Sequence, residues 1–272
     1  MHEIEKVLSP RLRVILDMVP ADRDVADIGC DHAYLAIALS EANPERRVFA
    51  MDVRKGPLER ARENVKKYEA EDSVELRLSD GFAALRPGET GAAILAGMGG
   101  PLMEKLLLAG EKLFAEGYTL ILSPQSEPES VRGFLAEHGF VIEREAIVTE
   151  EGKFYPVILA VKDTDHPVSE EPLLRVHLRY GEKLLMNPDP LVDRFLEKEE
   201  AEIRGLLQKL GASAECGGIP AKERAGDSLE QVSAEGVKRR ILELQQELQD
   251  VLLAKELRGV SGRKIDSGEH IS

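Results

Sequence analysis

The run Val25-Ala-Asp-Ile-Gly-Cys-Asp-His-Ala-Tyr34 constrains the rest of the chain more than any other stretch. Val25 to Ile28 reads as a short strand, Gly29 as a tight turn, and Tyr34 to Ala42 as a helix with Leu35, Ala38 and Leu39 at helical spacing. Strand, glycine turn and helix form the repeating unit of doubly wound α/β sheets, which hold a nucleotide-like ligand at the carboxyl edge of the strands. Val48-Phe-Ala-Met51 reads as a second strand and ends on Asp52. An acidic residue at that tip suits the two hydroxyls of a ribose. The turn departs from a dinucleotide fingerprint, because Asp31 and Ala33 stand where its later glycines would be. The competing interpretation is an ordinary strand–helix turn with a surface carboxylate.

The flanking segments extend the same alternation. Ile4, Leu8, Leu12, Ile15 and Val19 recur at steps of four and three, which predicts an amphipathic helix split at Ser9-Pro10. Pro57 opens a helix to about Tyr68, and Val74 to Leu78 alternates as a third strand before Ser-Asp80-Gly81. Ala92 to Ala96 is a buried parallel strand in character and stops at Gly97-Met-Gly-Gly100. Tyr118 to Leu122 is a fifth strand ended by Ser-Pro-Gln125, and Glu127 to His138 a helix closed by Gly139. Phe140 to Val148 and Tyr155 to Val161 are joined by a turn too short for a helical crossover, so they are expected to be antiparallel neighbours. Strands alternating with helices and ending in such a hairpin describe an α/β fold with a class I methyltransferase (Rossmann-like) sheet and a terminal antiparallel strand.

Asp163 to Pro172 has the polar, proline-containing character of a linker. Beyond it, Leu191, Phe195, Ile203, Leu206 and Leu210 mark one long helix, and Val237, Ile241, Leu244, Leu248 and Val251 a second, with the spacing of a coiled-coil seam. The stretch from Gly211 to Asp227 is expected to turn between them. The predicted organisation is a cofactor-binding domain over residues 1–165, a C-terminal α-helical coiled-coil domain over 166–258 and a disordered tail over 259–272.

Composition narrows the setting. No apolar run is long enough to cross a bilayer and no signal-peptide pattern opens the chain, so a cytoplasmic protein that does not engage membranes is expected. Cys30 and Cys216 are the only cysteines, too few for a disulfide framework or a metal site, and no metal is expected. Net charge is −14, which disfavours nucleic acid as a partner unless a basic face exists locally. Basic residues do cluster at Arg11/Arg13, Arg46/Arg47, Arg54/Lys55, Arg60 to Lys67 and Arg175/Arg179/Lys183. The last set has four-residue spacing, which would align it on one helical face.

The missing dinucleotide glycines favour S-adenosyl-L-methionine as cofactor. That molecule calls for an acidic contact to its ammonium, a close backbone approach, a ribose clamp and an adenine slot. Asp27, Gly29, Asp52, Asp80 and Gly81 fall at the ends of successive strands and so share one rim. Gly97 and Met98 are assigned to the cofactor, and Gly99, Gly100 and Gln125 to the acceptor, at the rim where such enzymes present the reacting atom. The Asn-Pro-Pro-aromatic sequence of many base-methylating enzymes is absent after strand four, which argues against an exocyclic amine as acceptor. Asp31 either holds the substrate amine and accepts its proton, with His32 orienting it, or caps the helix near Tyr34. Cys30 in the same loop reads as packing.

Asp-Ile-Gly-Cys-Asp-His-Ala-Tyr-Leu (27–35), Gly-Pro (56–57), Ala-Gly-Met-Gly-Gly (96–100) and Leu-Ser-Pro-Arg-Leu (8–12) together resemble the bacterial tRNA (adenine-22-N1)-methyltransferase family. The resemblance implies methyl transfer to N1 of an adenine in the D-loop region of tRNA. It implies that Asp31 and His32 belong to the catalytic pocket, that Arg11 lines it and that the helical domain helps dock tRNA. A monomer is expected. Two other functions compete: a methyltransferase acting on a small molecule or protein, and a non-catalytic S-adenosylmethionine-binding scaffold.

Overall fold

A computed structural model of the chain describes residues 4–165, 175–215 and 234–266. They divide into two compact units, Met1–Asn187 and Pro188–Ser272. The first is built on a seven-stranded sheet in the order β3-β2-β1-β4-β5-β7-β6. Its strands are β1 (Val25–Ile28), β2 (Val48–Asp52), β3 (Val74–Leu78), β4 (Ala92–Met98), β5 (Thr119–Pro124), β6 (Phe140–Glu150) and β7 (Lys153–Lys162). β1 to β5 are parallel, and β7 runs antiparallel between β5 and β6. This is the mixed sheet with a terminal hairpin that the sequence implies.

Helices cover both faces because alternate strand residues point to opposite sides. Val48 and Ala50 join a core with α1 (Pro10–Met18), α2 (Tyr34–Ala42) and α3 (Lys55–Lys67), whereas Phe49 and Met51 join a core with α4 (Gly100–Gly110) and α5 (Pro128–Glu137). The interruption at Ser9-Pro10 is a true start: the Ser9 hydroxyl accepts from the Leu12 N–H at 3.3 Å, and Pro10 opens the helix.

The sheet unit reaches Asn187, past the boundary expected at 165/166. Two short helices, α6 (Arg175–Tyr180) and α7 (Glu182–Met186), belong to it. Helices this short do not persist without tertiary contacts, and a buried ion pair holds them. Arg132 on α5 donates to Glu145 on β6 at 2.8 Å, and the two side chains are 3% and 1% exposed. The same guanidinium donates to the carbonyls of Leu178 and Arg179, while Glu145 accepts from the Leu184 N–H. The chain breaks at Gly181 (φ +83°) between the two helices. Arg175, Arg179 and Lys183 are therefore split across them and form no single helical stripe, contrary to their spacing in sequence.

In the second unit α8 (Pro190–Glu215) and α9 (Ala234–Asp266) are an antiparallel pair, tied by Lys255 to Glu200 at 2.7 Å and by Arg258 to Asp193. Its buried seam uses Val192, Leu196 and Ile203 on α8, against Leu244, Val251 and Ala254 on α9. Val192 and Leu196 are buried in place of Leu191 and Phe195, so this part of the α8 seam lies one residue C-terminal to the expected pattern, and Leu206, expected in the seam, is 44% exposed. α9 runs on through Asp266, into the segment expected to be a tail from residue 259. Residues 166–172 of the expected linker, 216–227 of the expected turn and 267–272 lie outside the described residues.

Candidate active site

The site follows from topology. From β1 the chain builds β2 and β3 to one side and then β4 and β5 to the other, so the strand order switches beside β1 at the carboxyl edge. A cavity of about 670 Å³ opens there. It is lined by Asp27, Gly29, Asp31, His32, Asp52, Asp80, Gly81, Gly97, Met98, Arg11 and Gln125. Gly99 and Gly100, assigned from sequence to the acceptor, do not line it. A Cβ on Gly99 would lie 2.9 Å from Ser126 Oγ, and one on Gly100 2.8 Å from the Glu127 carbonyl. These glycines let the β4–α4 turn close on the β5–α5 turn.

Gly29 (φ +83°) reverses the chain at the floor, and its N–H donates to the Met51 carbonyl at 2.7 Å. That left-handed conformation is open to glycine at no steric cost. Asp27 and Asp52 are each 5% exposed at the tips of neighbouring strands. Burial, and then the charge of Asp52, push the Asp27 carboxyl up to about 7. Asp52 accepts from the Arg54 N–H at 2.8 Å, which fixes its orientation. Cys30 is pushed up by burial and by Asp27 and Asp52, so it stays a thiol and is no nucleophile.

Asp31 is not the helix cap. The capping position of α2 is Ala33 (φ +57°), with no side-chain hydrogen bond. Asp31 instead stands at the mouth, with its side chain 54% exposed, accepting from Arg60 of α3 at 3.2 Å and facing His32 Nε2 at 3.5 Å. His32 stacks on Tyr34 with ring centroids 5.6 Å apart, and its carbonyl accepts from Asn64 at 2.9 Å. The turn is thus held open as a loop whose polar groups face the cavity.

Several contributors escaped the sequence reading. Arg60 was visible only as part of a basic cluster, and Leu102 and Leu106 of α4 also line the cavity. Glu150 and Tyr155 gave no signal. They reach Arg11 from the β6–β7 hairpin, Glu150 accepting from the Arg11 N–H at 2.9 Å and Tyr155 lying under its guanidinium at 4.6 Å.

The shifted Asp27 gives a pH prediction. An ammonium is held by the carboxylate and not by the acid. Affinity for S-adenosylmethionine is therefore expected to rise with pH up to about 7 and to level off above it. Below that point it should fall by up to about tenfold per pH unit. Stability carries the opposite sign: the folded state holds this proton more tightly than the unfolded chain does. Its contribution is complete below the unfolded pKa of about 4 and lost as pH rises through about 7. Asp27→Asn should accordingly raise the melting temperature of the ligand-free protein at pH 8 while weakening cofactor binding. Calorimetry showing a pH-independent affinity between pH 5.5 and 8 would remove Asp27 from the ammonium contact.

Comparison with known proteins agrees with this geometry. A family model described as a methyltransferase domain matches residues 8–158. The tRNA (adenine(22)-N(1))-methyltransferase of Bacillus subtilis is 32% identical over 160 residues, an alignment that takes in 59% of this chain and 66% of that protein, just under two thirds of its length. A Mycoplasma pneumoniae protein named as a putative tRNA methyltransferase is 31% identical over 176 residues, covering 62% of this chain and 79% of that one. The crystal structure of a Streptococcus pneumoniae protein, named as a putative tRNA (m1A22) methyltransferase in complex with S-adenosyl-L-methionine, superposes with a TM-score of 0.71 at 25% identity, over 91% of this chain and 99% of that one. With a methyltransferase model spanning more than half its length, the chain belongs to the methyltransferase-domain family, and tRNA methyltransferases are among the proteins it is similar to.

Proposed function

We propose that the protein methylates N1 of adenine 22 in the D-loop region of tRNA, with S-adenosylmethionine as methyl donor. The observation that supports this best is that the Asp31-His32 turn opens into the same cavity as the buried Asp27 and Asp52. The cavity fits the cofactor on its own terms. Asp27 offers a buried carboxylate for an ammonium, Asp52 an oriented one for ribose hydroxyls, and Gly29 a backbone that nothing bulkier than hydrogen keeps at a distance.

Bound there, S-adenosylmethionine supplies a methyl group on a positively charged sulfur. What remains for the protein is alignment of adenine N1, whose lone pair is available, and management of charge on the product. Asp31 accepts a hydrogen bond from the adenine N6 amine and takes its proton once N1 is methylated. Arg60 and His32 hold that carboxylate in place. N1 is reached only when the base leaves its stack. The cations Arg54, Lys55 and Arg60 are exposed where α3 begins beside the mouth, a local basic rim on an acidic protein that suits a phosphate backbone.

Incubation with labelled S-adenosylmethionine and total tRNA, followed by nucleoside analysis, tests the proposal. Labelled 1-methyladenosine at position 22 is the expected product. Label in protein or metabolite would select the alternative acceptors, and binding without transfer would select the scaffold.

The division of labour is part of the proposal: residues 1–187 bind cofactor and the helical pair helps dock tRNA. A chain ending at Asn187 is expected to fold and to bind cofactor with unchanged affinity while losing most activity on tRNA. A chain ending at Lys162 loses α6 and α7, the partners of Arg132 and Glu145, and should unfold more readily. Full tRNA activity in the 187-residue fragment would leave the helical pair no part in docking.

A further inference from the structure

The cofactor contacts assigned so far account for its ammonium, ribose and adenine, and leave its α-carboxylate without a partner. The cavity is unfavourable to that group. Asp27, Asp31, Asp52 and Asp80 all line it, against Arg11 and Arg54. Arg54 is 70% exposed and turned toward Asp52, 3.6 Å away. Arg11 differs: its side chain is 16% exposed, and its Nε and Nη1 are buried without a hydrogen-bond partner among the described residues. Glu150 Oε2 lies 3.5 Å from Nε, close enough for an ion pair, but without hydrogen-bond geometry. A desolvated guanidinium with idle donors is costly unless an acceptor arrives.

Its support comes from an unexpected direction. The β5–β7 ladder ends at Leu122↔Ile158, so the start of β7 and the end of β6 overhang the carboxyl edge of the sheet. The overhang carries Tyr155 to one face of the guanidinium and Glu150 to the first turn of α1. Stacking and the ion pair fix the plane of the fork, which is what two-pronged recognition of an oxyanion requires.

We infer that Arg11 is a cofactor-binding residue, not an acceptor contact: its guanidinium takes the α-carboxylate of S-adenosylmethionine, and Glu150 and Tyr155 are its positioning residues. This rests on the reading that the cavity holds S-adenosylmethionine. A contact to the adenine being methylated is disfavoured by charge, since that base becomes cationic. A phosphate next to it has the same oxyanion chemistry and is the other possible source.

Calorimetric titration of the full-length protein distinguishes them, using S-adenosylmethionine and its decarboxylated analogue, which keeps the sulfonium, ammonium, ribose and adenine. The wild type should prefer the carboxylated molecule by roughly 10- to 100-fold. Arg11→Gln should erase the preference by weakening that molecule alone, and Glu150→Gln and Tyr155→Leu should narrow it. Unchanged affinity for the analogue shows that the variants are folded. If Arg11→Gln does not fold, Arg11→Lys, which keeps charge but not the fork, should show the preference reduced. A preference that survives in the Arg11 variant overturns the assignment. If tRNA binding by that variant also loses about one ion from its salt dependence, the oxyanion is a phosphate. A wild type that binds neither molecule would instead refute the cofactor reading of the cavity.

Discussion

Asp31→Asn is expected to keep the melting temperature and the cofactor affinity of the wild type while its turnover on tRNA falls by about 10²–10⁴-fold. Asparagine is the appropriate substitution because residue 31 sits at φ +45°, a region that Asn and Asp tolerate and alanine does not. The backbone of the turn is therefore preserved, and only charge and basicity are removed. A capping role is excluded by geometry, since Ala33 occupies the cap of α2 and no side chain bonds there. The salt bridge to Arg60 is half exposed and should contribute well under 1 kcal/mol to folding, so stability is a poor reporter of this residue and turnover a good one. The assay is turnover at saturating cofactor and tRNA beside a thermal melt of the same preparation. Near-normal turnover would sink the assignment of Asp31 to proton transfer.

The largest effect on stability is expected far from the cavity. Arg132→Ala leaves Glu145 buried without its countercharge, and breaking a buried pair on one side costs about 3–5 kcal/mol. For a unit of this size that corresponds to a melting temperature lower by roughly 6–20 °C. The loss also frees the carbonyls of Leu178 and Arg179, so α6 and α7 should lose protection in hydrogen exchange before the parallel strands do. Arg132→Met combined with Glu145→Leu removes both charges and should recover part of the stability, because it removes the unpaired ion but still leaves the Leu178 and Arg179 carbonyls and the Leu184 N–H without these partners. A single variant that melts with the wild type would show that the pair does not secure these helices.

Much of this molecule was legible one segment at a time. The β1 turn, Asp52 at the end of β2 and Asp80 after β3 could be assigned to one rim because parallel strands joined by helices must bring their carboxyl ends together. No long-range information is needed for that inference: chain direction is enough. The same locality explains the failures. Arg175, Arg179 and Lys183 keep a helical period in sequence, yet the helix breaks at Gly181, which takes φ +83° and stands where a Cβ would meet the Glu145 carboxylate. Gly99 and Gly100 look like a ligand loop by composition, and serve the contact between two turns from different strands.

The sequence by itself determined the order of elements, the two faces of the sheet and the edge at which chemistry occurs, since periodicity and strand direction are local properties. Only the tertiary structure decided what surrounds each site residue. Glu150 is 139 positions from Arg11 and Glu145 is 39 from Leu184, and no spacing rule connects them. They meet because an antiparallel hairpin overhangs a parallel sheet and because a buried charge must find its partner wherever the fold places it.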